Sequence, residues 1–147
     1  GHGLPNSVGF AYALKQKKNK KKVICLMGDQ ELMEGTTWES LHAIDNYKLN
    51  NLVIIIDRNN SDFRSIKFLK LKKKLAVFCN KIYEVNGHNL INFDKILKKT
   101  LKNNLFNIII ANTIKGYGIK SIADNPAWHH RAPTAKEIEI FKKELKV

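Results

Sequence analysis

Two polar segments, each directly after a short apolar run, carry residue types that could bind a metal ion beside a phosphate. Gly28 and Asp29 follow the run 23–27, and Asp57 and Asn59 follow the run 52–56. A carboxylate and an amide carbonyl are hard oxygen ligands of the kind that Mg²⁺ prefers. Glycine favours a sharp turn and a close approach of the backbone to a phosphate. Taken singly, each segment is more typical of a polar turn after a strand, so the prediction depends on both together.

The apolar runs predict the elements that must position these residues. Runs 23–27 and 52–56 are short and unbroken, which is typical of strands buried on both faces of a parallel sheet, and 106–111 is a third strongly apolar strand. Helical spacing of apolar residues over 3–18, 37–47 and 92–102 places helices between them. We therefore predict an α/β domain with a mainly parallel sheet flanked by helices. Three polar loops, after 27, after 56 and at 113–118, should then meet beyond the carboxyl ends of the strands.

The rest of the chain is less regular. Segment 61–74 is polar and basic and is predicted to be a loop that leads into a helix through Leu75 and Phe78. A short strand is expected at 82–85, before the turn residues Asn86 and Gly87. A closing helix is predicted over 134–145, with Thr134 and Glu137 at the spacing of a capping box.

Composition narrows the class of protein. A chain of 147 residues is long enough for one domain with a sizeable core, and 44% hydrophobic with 27% charged residues is typical of a globular protein. The apolar runs are too short to span a bilayer, so no membrane association is expected. No signal segment opens the chain, and Cys25 and Cys79 lack metal-ligand spacing, which together predict a reduced, cytoplasmic location. Because the first residue is not Met, we expect a fragment or a processed product.

The charge leaves a rival interpretation open. The formal net charge is +13, which could indicate a basic nucleic-acid-binding domain. The positive residues are mostly lysines in the runs 15–22, 70–74 and 95–102, whereas base readout recruits arginine and interleaved aromatics. Solvated surface lysines explain the charge more simply, and a nucleic-acid partner is not expected.

The order of motifs resembles one family along nearly the whole chain. Asp29 and Asn59, thirty positions apart with a helix and a strand between them, are similar to the thiamine diphosphate motif. The segments that resemble the transketolase family, in order, are 1–9, 28–35 with Trp38 and Glu39, 49–59, 84–88, 113–118 and 128–133. The likeness is greatest to transketolases whose N-terminal half is encoded as a separate chain.

The resemblance implies a set of ligands. Mg²⁺, or Ca²⁺ or Mn²⁺ in its place, would be bound by the side chains of Asp29 and Asn59 and by the backbone carbonyl of Ser61. The remaining ligands would be water and oxygens of the cofactor, thiamine diphosphate.

The same resemblance assigns residues to the cofactor and to the substrate. Residues expected at the cofactor, besides the metal ligands Asp29, Asn59 and Ser61, are Gly1, Gly3, Gly28, Gln30 and Glu34. Glu34 would lie in a carboxylate network that crosses between subunits. Lys115 and His129 would reach toward the diphosphate and the sugar, with His129 as a hydrogen-bond donor or proton-transfer group.

As a whole, the resemblance implies a transferase and a partner. The expected reaction moves a two-carbon ketol unit between sugar phosphates. Residues 1–147 would form one diphosphate-binding domain, N-terminally incomplete, within a dimer or heterotetramer. A C-terminal transketolase subunit or domain would supply the pyrimidine-binding site. Gln30 stands where the family usually has a glycine, which favours the alternative of a non-catalytic partner subunit with the same fold.

Overall fold

The strands of the described part of the chain form one parallel sheet. The computed structural model describes residues 1–59 and 69–147. Its strands, in chain order, are β1 (Val23–Gly28), β2 (Leu52–Arg58), β3 (Ile82–Asn86) and β4 (Asn107–Asn112). They lie side by side in the order β1–β2–β4–β3, and every neighbouring pair is parallel. The predicted α/β class with a parallel sheet is confirmed.

The helices alternate with the strands. They are α1 (Gly3–Gln16), α2 (Gly35–Asn46), α3 (Leu71–Leu75), α4 (Leu90–Lys102) and α5 (Ala135–Leu145), with short 3₁₀ helices at Asp29–Met33 and Pro126–Trp128. The start of α4 lies two residues before the predicted one because the Asn89 side chain caps it, accepting a hydrogen bond from the Asn92 N–H at 3.0 Å. The predicted capping box of α5 is present. Residues 61–68 of the predicted loop lie outside the described residues, and the helix predicted to follow the loop begins earlier than expected, at Leu71.

The core has two layers, one on each face of the sheet. On one face, α1 and α2 cover a buried cluster that includes Ile54, Ile56, Ile108 and Ile110. On the other face, apolar residues of α4 pack against a smaller cluster around Ile109. The residues of β2 from Leu52 to Ile56 are all buried, as an unbroken apolar run predicts.

The prediction that β1 is buried on both faces is wrong. Cys25 and Met27 are buried under α1, but Ile24 is 46% exposed and Leu26 is 70% exposed. The reason is the strand order, which puts β1 at one edge of the sheet while α4 packs over β3 and β4 near the other.

Within the described residues, no helix is long and apolar enough to cross a membrane.

Both cysteines lie in the core as free thiols. Cys25 and Cys79 are each only 4% exposed. Burial raises the pKa of both thiols, so the neutral form is the stable one. They therefore behave as small apolar core residues.

The sheet core makes a first prediction. Ile110→Ala, at a fully buried position of β4, should lower the free energy of unfolding by about 2–5 kcal/mol, since the cavity cannot be refilled by the packed layers. Urea denaturation followed by circular dichroism measures this. The control is Ile91→Ala, whose side chain is 86% exposed and should shift stability by less than about 0.5 kcal/mol. Equal losses in the two variants would contradict the description of the core.

Candidate functional site

Strand register brings the predicted loops together. Gly28 pairs with Asp57, and Arg58 pairs with Asn112, so β1, β2 and β4 end within one residue of each other. Because all are parallel, the segments that follow them leave from the same edge of the sheet. The prediction that three polar loops converge at the carboxyl edge is confirmed.

The loop after β1 is held rigidly against α2. Its 3₁₀ helix begins at Asp29, which is 8% exposed. The Glu31 carboxylate accepts a hydrogen bond from the Gly28 N–H at 2.9 Å, and the Thr37 hydroxyl donates to the Glu31 carbonyl at 2.6 Å. The Trp38 indole N–H donates to the Leu32 carbonyl at 2.9 Å. These bonds fix the backbone on both sides of Asp29.

Of the two reasons predicted for a glycine at position 28, the structure excludes the sharp turn. Its φ of −80° and ψ of 159° are extended backbone that any residue adopts, so the turn itself does not require glycine. A Cβ at Gly28 would meet no heavy atom within 4 Å, so the space above this residue is open. The open space is consistent with the other predicted reason, a close approach of a phosphate to the backbone.

Gln30 fits the loop without backbone strain. It lies in the 3₁₀ helix, is half-buried, and is absent from the described residues with positive φ. A glycine at this position is not needed for the observed backbone.

Asn59 directly follows β2, next to the loop of Asp29. It is half-buried and lies two residues beyond Asp57, which pairs with Gly28. Asp29 lies one residue past Gly28, and Asn59 lies two residues past Asp57. Both residues therefore follow the ends of adjacent, paired strands. Ser61 lies outside the described residues, so its role as a carbonyl ligand stays a prediction.

A side-chain hydrogen bond that sequence reasoning missed ties the end of β4 to that of β2. The Thr113 hydroxyl donates to the Asp57 carboxylate, and the Thr113 N–H donates to the Arg58 carbonyl at 3.0 Å. Asp57 was visible in the sequence as part of a polar segment. Thr113 could not be recognised as the partner of Asp57, because the pairing of β2 with β4 brings together residues 56 positions apart.

The turn after β3 contacts the loop that follows β4. The His88 Nε2 accepts a hydrogen bond from the Ile114 N–H at 2.8 Å, and its ring stacks on Tyr117 at 3.6 Å between centroids. Gly87 makes the contact possible, since a Cβ there would lie 2.5 Å from the Thr113 methyl group. The segment that carries Lys115 is therefore fixed at its start by β2 and by the β3 turn.

Lys115 and His129 both lie on the segment between β4 and α5. Lys115 is half-buried, and its carbonyl accepts a hydrogen bond from the Asp124 N–H at 2.9 Å, which closes the loop 115–124. His129 is exposed and its ring contacts that of His130, with centroids 4.2 Å apart.

The turn that carries His129 is anchored to α5. The Arg131 guanidinium lies 4.0 Å from the Trp128 ring and donates hydrogen bonds to both Glu137 oxygens, at 2.6 and 2.7 Å. Trp128 also packs edge-on against Phe141, at 5.3 Å between centroids. Hydrogen bonds from the Thr134 backbone and hydroxyl, with Arg131, lower the pKa of Glu137, so this anchor is ionised at neutral pH.

Gly1, Gly3 and Glu34 lie around the start of α1 and the end of the β1 loop. Gly1 packs so closely on Glu34 that a Cβ would lie 2.5 Å from the Glu34 Cγ. The Thr36 hydroxyl donates to the Gly1 carbonyl at 3.3 Å. Gly3 opens α1, and a Cβ there would meet nothing within 4 Å. The structure thus joins Gly1 and Glu34 to the Asp29 loop.

The donor set fits a metal shared with an anionic ligand. Among the described residues, no group of three or more His, Cys, Asp or Glu side chains is placed to hold a metal ion. One buried carboxylate, Asp29, and one neutral amide, Asn59, would leave most of the octahedral positions of Mg²⁺ to water and phosphate oxygens. The open space at Gly28 is consistent with such a ligand.

Comparison with known proteins identifies relatives of this chain. The family model described as 1-deoxy-D-xylulose-5-phosphate synthase matches residues 1–108. The chain is 39% identical to an apulose-4-phosphate transketolase subunit of Actinobacillus succinogenes, covering 99% of this chain and 55% of that protein. The chain belongs to the transketolase family. Human transketolase is 35% identical over 135 residues, which cover 88% of this chain and 21% of that one.

A solved transketolase shares the fold. The crystal structure of transketolase from Campylobacter jejuni superposes with a TM-score of 0.84 at 28% identity, covering 99% of this chain and 25% of that one. The family and the fold predicted from the motifs are thus confirmed. The chain spans about half the length of the A. succinogenes relative and about a quarter of the C. jejuni transketolase.

The bond between β2 and β4 makes a second prediction about this transketolase-family chain. Thr113→Val should lower the free energy of unfolding by about 1–2 kcal/mol and loosen the loop after β4, because the half-buried Asp57 carboxylate loses its hydroxyl donor. Denaturation and amide hydrogen exchange of residues 112–118 measure the two effects. Thr113→Ser keeps the hydroxyl and should retain most of the exchange protection. Protection kept in Thr113→Val but lost in Thr113→Ser would instead assign the effect to packing of the threonine methyl group on Gly87.

Proposed function

We propose that this chain provides the diphosphate-binding half of a transketolase-type active site. Thiamine diphosphate and Mg²⁺, or Ca²⁺ or Mn²⁺ in its place, would bind at the carboxyl edge of the sheet. The reaction is the reversible transfer of a two-carbon ketol unit between sugar phosphates. The observation that carries this proposal is the register of β1 and β2, which brings Asp29 and Asn59 to adjacent strand ends beside the open face of Gly28.

The metal site rests on burial and charge. Asp29 is only 8% exposed, so its attraction for a divalent cation is weakly screened by water. The side-chain carbonyl of Asn59 would add a hard oxygen without adding negative charge next to a diphosphate. The Ser61 carbonyl is the proposed third protein ligand. The fixed loop around Asp29 preorganises the carboxylate, because the bonds of Glu31, Thr37 and Trp38 hold the backbone on both sides of it.

Thiamine diphosphate and the residues of this chain would contribute different parts of the chemistry. When bound, thiamine diphosphate supplies the stabilised carbanion that carbon–carbon transfer needs. The Lys115 ammonium would neutralise phosphate charge, and its half-buried position strengthens that attraction. His129 would donate a hydrogen bond to a sugar hydroxyl or move a proton there. Gly3 and Gln30 would border the cofactor, beside the Asp29 loop.

A second polypeptide or domain would complete the site. Two relatives are named as subunits of apulose-4-phosphate transketolases, and this chain spans 55% and 54% of their lengths. A pyrimidine-binding partner, in a dimer or heterotetramer, is therefore proposed, with residues 1–147 as an incomplete diphosphate-binding domain. The exposed Glu34, packed on Gly1, would face that partner. Apulose 4-phosphate is the candidate substrate that these relatives suggest, and the proposed location is the cytoplasm.

The metal site makes a third prediction. In the protein assembled with its pyrimidine-binding partner, Asp29→Ala should weaken Mg²⁺-dependent binding of thiamine diphosphate by about a hundredfold or more, because the charged ligand is lost. Isothermal titration calorimetry with Mg²⁺, Ca²⁺ or Mn²⁺ measures it. Asp45→Ala removes an exposed carboxylate of α2 and should leave the affinity unchanged. Undiminished affinity in Asp29→Ala would refute the proposed metal ligand.

The residues after β4 make a fourth prediction. His129→Ala should lower kcat/KM by roughly 10²–10⁴-fold if it transfers a proton to or from the sugar. Lys115→Ala should chiefly raise KM for the phosphorylated substrate or cofactor. Steady-state kinetics of the assembled enzyme separate the two effects. The neighbouring variants His130→Ala and Lys120→Ala are matched controls, and rates equal to theirs would remove both residues from the site.

A further inference from the structure

A concave site lies at the amino edge of the sheet, opposite the carboxyl edge. It is a cleft of about 600 Å³ between the segment that joins α1 to β1, the segment that joins α2 to β2, and the segment that follows α4. Six lysines line it, namely Lys15, Lys18, Lys20, Lys22, Lys48 and Lys102. Four of these lysines belong to the run 15–22, and the fold brings Lys48 and Lys102 to the same space.

Hydrogen bonds to backbone carbonyls hold the walls of the cleft. The Lys15 ammonium donates to the carbonyls of Tyr47 and Lys48 at 2.6 and 3.2 Å, and the Lys22 ammonium donates to the Asn50 carbonyl at 2.7 Å. The Val23 N–H donates to the Asn51 carbonyl at 2.8 Å where β1 begins. The two segments that precede β1 and β2 are therefore fixed to each other, and the cleft between them is a built feature of the fold.

The positive charge of the cleft is largely uncompensated. Within the described part of the chain, no Asp or Glu side chain lines it. Lys48 forms an ion pair with Asp45 at 2.9 Å, outside the cleft. Burial lowers the pKa of Lys22, which indicates that its ammonium is partly withdrawn from water. Like charges around one space repel each other, and an anion with several charges would relieve that repulsion.

We propose that this cleft binds a multiply charged phosphate chain, as carried by inorganic polyphosphate or a nucleoside triphosphate. Its volume lies within the range of roughly 300–1,000 Å³ that is usual for small-molecule sites. Its described lining contains neither aromatic side chains nor arginine, the groups on which nucleic-acid bases stack. The lysines are point-charge donors suited to phosphate oxygens.

The cleft is separate from the proposed thiamine diphosphate site. β2 contains seven residues, which at about 3.3 Å per residue put the two edges of the sheet roughly 20 Å apart. An anion at the amino edge therefore need not displace one at the carboxyl edge. This separation lets the two sites be tested independently.

The test compares two triple variants that lose the same charge. Lys18→Gln, Lys20→Gln and Lys102→Gln together remove three cleft charges while leaving the wall-forming bonds of Lys15 and Lys22 intact. Lys136→Gln, Lys143→Gln and Lys146→Gln together remove three charges from α5 and its cap. Titration calorimetry with inorganic tripolyphosphate, at low and at high salt, measures affinity. Circular dichroism checks that both variants are folded.

We expect tripolyphosphate to bind the unmodified protein and the α5 variant equally. Its affinity for the cleft variant should fall by about tenfold or more, because charge-assisted hydrogen bonds are lost. The Asp29→Ala variant should bind tripolyphosphate normally. ATP binding more tightly than tripolyphosphate assigns the site to a nucleotide, and equal binding assigns it to the phosphate chain alone.

Three results would overturn the proposal. Equal weakening in the two triple variants would show a general charge effect. Loss of tripolyphosphate binding in Asp29→Ala would place the anion at the carboxyl edge. Tighter binding of a mixed-sequence single-stranded RNA than of tripolyphosphate or ATP, lost in the cleft variant, would identify a polynucleotide surface in place of a small-anion site.

Discussion

The parallel pairing of β1, β2 and β4 is the constraint on which the rest of the structure depends. β2 lies between the other two and is buried from Leu52 to Ile56, so its register is determined by apolar packing on both faces. A slip of one residue would exchange the layer under α1 and α2 with the layer under α4. The same register sets Gly28 beside Asp57 and thereby brings the Asp29 and Asn59 loops together. The core and the site are consequences of one alignment.

The two edges of the sheet differ in chemistry. At the carboxyl edge, polar loops are tied to each other by side chains, with the Thr113 hydroxyl on Asp57 and His88 on the Ile114 N–H. At the amino edge, the connections that precede the strands are rich in lysine and are tied by ammonium groups on carbonyls. A parallel sheet separates these two surfaces by the full length of its strands. One small fold can thus present an edge of interlinked polar loops and a basic edge at once.

Much of the fold and the position of the Asp29 and Asn59 loops were predictable from sequence, because unbroken apolar runs and helical spacing are local signals. Strand order is not local. The order β1–β2–β4–β3 makes β1 an edge strand, so Ile24 and Leu26 are exposed although their run resembles that of a buried strand. The same order pairs Asp57 with Thr113 and gathers Lys15, Lys48 and Lys102 into one cleft. In the sequence Lys15 and Lys102 belong to separate lysine runs and Lys48 stands alone, a pattern typical of a solvated surface.

The two buried cysteines have a consequence for how motion in this fold is observed. Since burial raises the pKa of Cys25 and Cys79 and shields both sulfur atoms, thiol reagents cannot attack them in the closed structure. Alkylation must wait for a transient opening that exposes the thiolate. Cys25 lies in the edge strand β1, and Cys79 lies between α3 and β3. Their separate labelling rates therefore report the opening free energies of two different parts of the molecule, without any introduced probe.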